Sequence, residues 1–192
     1  MTEIKILNKV FGKKEDPSID KIIKYFQEEK SVSIISDMSC SDSFDSIKEA
    51  NSKGINTLAV YGHGLSNIRN VGIDGAQCIQ GARRTINLKD ILECSDFMNL
   101  IFISCLGGSP NSDNPETSRG TWADIFEKIQ GNILTCIWSV PTEDTIELMD
   151  CVYKNLIDSK MDFGAALLYA QKESKKKGKN QLSWAGVEHW IN

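Results

Sequence analysis

Three runs of the chain are apolar on both of their alternating faces: TLAVY (Thr57 to Tyr61), LIFISC (Leu100 to Cys105) and NILTCIWSV (Asn132 to Val140). A strand with one wet face alternates apolar and polar residues, so runs of this kind belong in a parallel sheet with helices on both sides. The intervening segments supply those helices. DPSIDKIIKYFQEEK places Ile19, Ile22, Ile23 and Phe26 at helical spacing, with Asp16 or Ser18 to cap the start. Ser41 to Gly54 reads as a helix closed by its glycine, Asn87 to Ser95 as a short helix, and Thr121 to Gln130 as a helix with Trp122, Ile125, Phe126 and Ile129 on one face. TEDTIELMDCVYKNLIDS, Thr142 to Ser159, opens on a capping-box pattern, and MDFGAALLYAQKESKKKG gives a last helix. VSIISDM reads as a short strand, Leu65 to Ile86 as loop plus hairpin, and VEHWIN as an edge strand. The expected architecture is an α/β three-layer sandwich with a mostly parallel sheet, in one domain over residues 1–192.

Charge and composition narrow the function. The chain carries 22 basic and 26 acidic residues, a net charge of −4, which argues against a general nucleic-acid binder. The basic run KKKGK, Lys175 to Lys179, reads as a solvated helix end. No window reaches the ~18 apolar residues of a membrane span, and the first residues lack a secretory signal pattern, so a cytoplasmic location is expected. The six cysteines form no C-x-x-C pair, and His63 and His189 lie far apart, so neither a metal site nor another cofactor is expected. Most of these thiols read as small buried hydrophobes, Cys136 and Cys151 among them.

Two expected strands end in reactive residues. TLAVY runs into Gly62-His63-Gly64, and LIFIS runs into Cys105 with Gly107 and Gly108 beyond it. Ligands of open α/β sheets bind outside the carboxyl ends of the strands, so parallel neighbours would turn His63 and Cys105 into one cleft. A thiol has a pKa of about 8.5 and needs an adjacent imidazole to become a nucleophile, which assigns Cys105 as nucleophile and His63 as general acid and base. The N–H groups of Gly64 and Cys105 could cradle the oxyanion. Cys40, just before a helix start, is the rival nucleophile, and His189 reads as structural.

At these residues the sequence resembles the CHAT-domain caspase-like cysteine peptidases, in the clan of caspases, separase and gingipain. The resemblance rests on strand-then-His-Gly, strand-then-Ser-Cys, NILTCIWSVPTEDTIELMDCVYKNL, GAALLYAQKES and SWAGVEHW, and runs from about Thr57 to the end. Caspases place the histidine about 50 residues before the cysteine, close to the spacing here. LGGSP after the cysteine differs from the family's common Cys-x-Thr. The resemblance implies a caspase-like fold, a Cys105–His63 dyad and endopeptidase activity on a protein substrate. It also implies a regulated effector, in prokaryotic defence or cell death, working with a separate sensor or scaffold protein. The alternative is a catalytically silent caspase-like module that binds a partner protein. A flavodoxin-like binding domain is disfavoured because no phosphate loop is present.

In caspase-like folds the first specificity pocket borders these strand ends, which makes Asp37, Trp138, Glu143 and Asp144 its candidates here. An acidic residue there would select Arg or Lys; the competing reading is that Thr142 caps a helix whose Glu143 and Asp144 suit its positive end. The loop Gly107 to Gly120 occupies the place where caspases are cut, and its one basic residue, Arg119, is the candidate autocleavage point.

Overall fold

Ile6–Val10 is a strand (β1) buried at all five positions, although Asn8 and Lys9 interrupt its apolar run. It was not expected from the sequence, and it lies beside the centre of the sheet. The computed structural model describes residues 3–13, 15–28, 35–37, 42–64, 78–94, 96–104 and 125–192; of residues 28, 35–37 and 51 it describes the backbone alone. The other main strands are β2 (Ile35–Asp37), β3 (Thr57–Tyr61), β6 (Asn99–Ile103), β7 (Asn132–Cys136) and β8 (Val187–Ile191). They form one six-stranded sheet in the order β2-β1-β3-β6-β7-β8. The first five are parallel, and β8 closes the edge antiparallel to β7. A separate antiparallel hairpin pairs β4 (Cys78–Gln80) with β5 (Thr85–Asn87), as expected for the end of the Leu65 to Ile86 segment.

Alternate residues of each strand enter different cores. Ile6, Val10, Ala59, Tyr61, Ile101, Ile103, Leu134 and Cys136 face helices α1 (Pro17–Glu28), α5 (Thr142–Ile157) and α6 (Phe163–Lys176). Leu7, Leu58, Val60, Leu100, Phe102 and Ile133 face the hairpin, α2 (Asp45–Lys48), α3 (Leu88–Leu92) and α4, whose described residues are 125–128. The result is a mixed α/β fold with a mostly parallel central sheet and helices on both faces. Truncating a central residue such as Ile101 to alanine would cost ~2–5 kcal/mol.

Several local expectations are corrected. The helix expected over Ser41 to Gly54 is a four-residue α2 and a 3-10 turn at Asn51–Lys53, closed by Gly54 at φ +67°. Its serines compete for the backbone: Ser43 Oγ accepts from Asp45 N–H at 3.2 Å, and Ser52 Oγ donates to the Glu49 carbonyl at 2.7 Å. No capping box forms at α5: Pro141 is the N-cap and offers no side-chain hydrogen bond, so Thr142 caps nothing. Instead Thr145 Oγ1 donates to the Pro141 carbonyl at 2.7 Å. The helix after Asp162 is not the last, because α7 (Gln181–Trp184) follows before β8. Among the described residues no helix is long and apolar enough to cross a membrane.

Candidate active site

From β1 the chain crosses to β2 on one side and then returns to β3 on the other. That reversal of direction opens a crevice between the carboxyl ends of β1 and β3, where open α/β sheets bind ligands. The two ends are in register, Val10 opposite Tyr61, and Phe11 N–H donates to the Tyr61 carbonyl at 2.8 Å. His63 lies two residues beyond this pair. Its approach is narrow: a Cβ on Gly62 would stand 2.7 Å from Ile79 Cγ2 and 3.0 Å from the Phe11 carbonyl oxygen. Glycine is required there by space. The hairpin then pins the turn, with Gln80 N–H donating to the His63 carbonyl at 2.9 Å and Gly64 bridged to Ile79. Among the described residues the N–H of Gly64 has no backbone acceptor.

The His63 side chain is held from β1's side of the crevice. Its Nε2 lies 3.1 Å from Oδ2 of Asp16, and the two side chains keep 37% and 29% of their surface exposed, within reach of a ligand. Asp16 is also the start of α1. Its Oδ1 accepts from Ser18 N–H at 2.9 Å and its carbonyl from Asp20 N–H at 3.0 Å, with Pro17 as the first helical residue. The sequence offered Asp16 as a cap. Its contact with His63 carries no sequence signal, since it depends on where β1 sits.

On the other side of His63 lies β6. Every pair in the β3–β6 register is 42 residues apart, from Thr57 with Asn99 to Tyr61 with Ile103. His63 and Cys105 are separated by the same 42 residues. Ser104, the last described residue before the cysteine, is buried, and its Oγ has no hydrogen-bond partner among the described residues. Cys105 itself, Arg119 and the rival Cys40 lie outside the described residues.

The candidate specificity residues stand apart from one another. Asp37 ends β2, opposite Lys9 on β1. Trp138 follows β7; its indole N–H donates to the Leu182 carbonyl at 2.8 Å. Glu143 and Asp144 occupy the first turn of α5, and both are already in ion pairs. Glu143 is hydrogen-bonded to Lys21 of α1, whose ammonium holds its carboxyl below the usual range. Asp144 accepts from Ser183 Oγ at 2.9 Å and pairs with Lys179 at 3.3 Å; Lys179 also reaches Glu147 at 2.9 Å. Lys179 thus ties the chain beyond α6 to α5, which a merely solvated helix end would not do.

The remaining thiols are poor nucleophiles. Burial pushes Cys78, Cys94 and Cys151 above the ordinary thiol range, and Cys136 is fully buried. Cys151 is only half-buried, short of the core position expected of it. None of these four is in a disulfide. His189 stacks on Phe163 and bonds Asn132 Oδ1 through Nε2 at 2.8 Å. Among the described residues no group of three potential ligands could hold a metal ion. In comparisons with known proteins, no protein-family model matches the chain and no curated protein matches it.

Proposed function

We propose that the chain is a caspase-like cysteine endopeptidase of the CHAT type, with Cys105 as nucleophile and His63 as general acid and base. The supporting observation is the shared offset. The β3–β6 register pairs residues 42 apart as far as Tyr61 with Ile103, and His63 and Cys105 each follow that pair by two residues in the sequence. In this reading the Cys105 thiol passes its proton to the His63 ring, and the thiolate attacks the substrate carbonyl carbon. The oxygen, now an anion, is received by the N–H groups of Gly64 and Cys105. The imidazolium protonates the leaving amine as the C–N bond breaks, leaving a thioester on Cys105. Water hydrolyses the thioester, its proton taken by His63 and returned to the departing thiolate.

The enzyme acts on a protein substrate in the cytoplasm. It is a regulated effector in prokaryotic defence or cell death, held in check by a separate sensor or scaffold, and Arg119 is its autocleavage point. The test is cleavage of candidate protein substrates by wild type, Cys105→Ala and His63→Ala. Cys105→Ala abolishes turnover, and His63→Ala lowers it by about 10²- to 10⁴-fold. Equal activity in all three proteins would sink the dyad; binding without cleavage by the wild type would favour the silent-module alternative.

A further inference from the structure

A helix cap needs one acceptor oxygen, and serine or asparagine supplies it as well as aspartate does. Asp16 uses Oδ1 for that task, on Ser18 N–H. Its second oxygen is aimed across the switch point at His63 Nε2, 3.1 Å away. The carboxylate is itself fixed on a rigid base. The chain leaves β1 through Gly12 at φ +156°, where a Cβ would stand 2.5 Å from Ile19 Cγ1, so α1 packs directly on the turn. The His63 backbone is held separately, its carbonyl accepting from Gln80 N–H at 2.9 Å. Each backbone is anchored without the other, and the two side chains meet.

We propose that Asp16 is the positioning residue of this site. Its carboxylate accepts the Nε2–H of His63, which selects that tautomer and leaves Nδ1 as the basic nitrogen. Nδ1 is then the atom that takes the Cys105 proton. The assignment rests on the dyad reading above, but the hold of Asp16 on His63 is measurable without it.

The decisive variant is Asp16→Ser in the full chain. Serine keeps the cap and removes the second oxygen. The first measurement is the rate at which iodoacetamide alkylates Cys105, followed by mass spectrometry of its peptide, in wild type, Asp16→Ser, His63→Ala and the double variant. The second is the ¹⁵N imidazole spectrum of His63, which reports the tautomer. Asp16→Ser keeps the thermal midpoint of the wild type, slows alkylation by about ten- to a hundredfold, as loss of an orienting partner typically does, and mixes the tautomers. The double variant is no slower than His63→Ala, because both act through one ring. Asp16→Glu restores part of the rate. A wild-type rate and a wild-type tautomer in Asp16→Ser overturn the inference and reduce Asp16 to a cap. If His63→Ala leaves alkylation unchanged while Asp16→Ser still mixes the tautomers, the dyad fails and the hold of Asp16 on the ring stands.

Discussion

The hydroxyls of Tyr61 and Tyr153 are hydrogen-bonded to each other inside the core between the sheet and α5. Tyr153 is the hub, because its hydroxyl also donates to Asn8 Oδ1 at 3.1 Å, and the Asn8 amide nitrogen has no partner among the described residues. Burial raises both phenols above their ordinary range, so they stay protonated and able to donate. Tyr153→Phe strips the Asn8 side chain of its bond and leaves Tyr61 alone, a loss of ~1–3 kcal/mol. Tyr61→Phe removes one end of the chain and costs ~0.5–1.5 kcal/mol. Urea unfolding of both variants checks the order; equal costs would mean that Tyr153 is no hub.

Gly186 sits where the chain enters β8, with no room for a side chain. A Cβ there would meet Trp138 Nε1 at 2.5 Å, Val140 Cγ1 at 2.7 Å and the Leu182 carbonyl at 2.8 Å. Gly186→Ala therefore breaks the Trp138–Leu182 hydrogen bond and costs ~1–3 kcal/mol, the usual range for overpacking. Hydrogen exchange of the Trp138 indole N–H speeds up in the variant. Unchanged exchange with unchanged stability would show that Trp138 yields freely.

How much of this was legible in the sequence depended on where polar residues fell. TLAVY and LIFI are uninterrupted, and both strands lie where the apolar runs put them. ILNKV carries no clear strand signal because two of its five residues are polar. Asn8 is satisfied in part by Tyr153, 145 residues away; Lys9 reaches Ser46 Oγ at 3.5 Å and lies over the Phe11 ring. Partners that distant leave no local pattern. Without β1 there is no switch point in view, and Asp16 reads from the sequence as a helix cap alone. The capping box at Thr142 failed for a local reason: Pro141 already holds the N-cap position.

The acidic candidates for substrate selection divide by their partners. Glu143 is bonded to Lys21, and Asp144 to Ser183 and Lys179, so neither presents an uncompensated charge. A peptide library digested by Glu143→Gln or Asp144→Asn keeps the wild-type residue preference before the scissile bond. Glu143→Gln also leaves stability nearly unchanged, as expected for an exposed pair. If the proposed peptidase selects Arg or Lys by charge, Asp37 is the remaining acidic candidate, and Asp37→Asn weakens that selection. A shift of preference in Glu143→Gln would return that residue to the pocket.

His189 gives the fold a pH dependence of definite sign. Desolvation lowers its proton affinity below the ordinary value, with Asp162 opposing more weakly. The ring packs on Phe163 and bonds Asn132 Oδ1, and a Cβ on Gly164 would stand 3.0 Å from its Nδ1, so a protonated, hydrated ring is poorly accommodated. In the unfolded chain the imidazole takes a proton near pH 6.5. Below that value the unfolded state binds more protons than the folded one, so stability falls as the solution is acidified toward the folded-state value. Above it the contribution of His189 is complete and flat. His189→Gln preserves the bond to Asn132 but cannot titrate. Urea midpoints of the two proteins, measured from pH 8 down to pH 5, converge as the pH falls through about 6.5. Curves that stay parallel over that range would remove His189 as the titrating group.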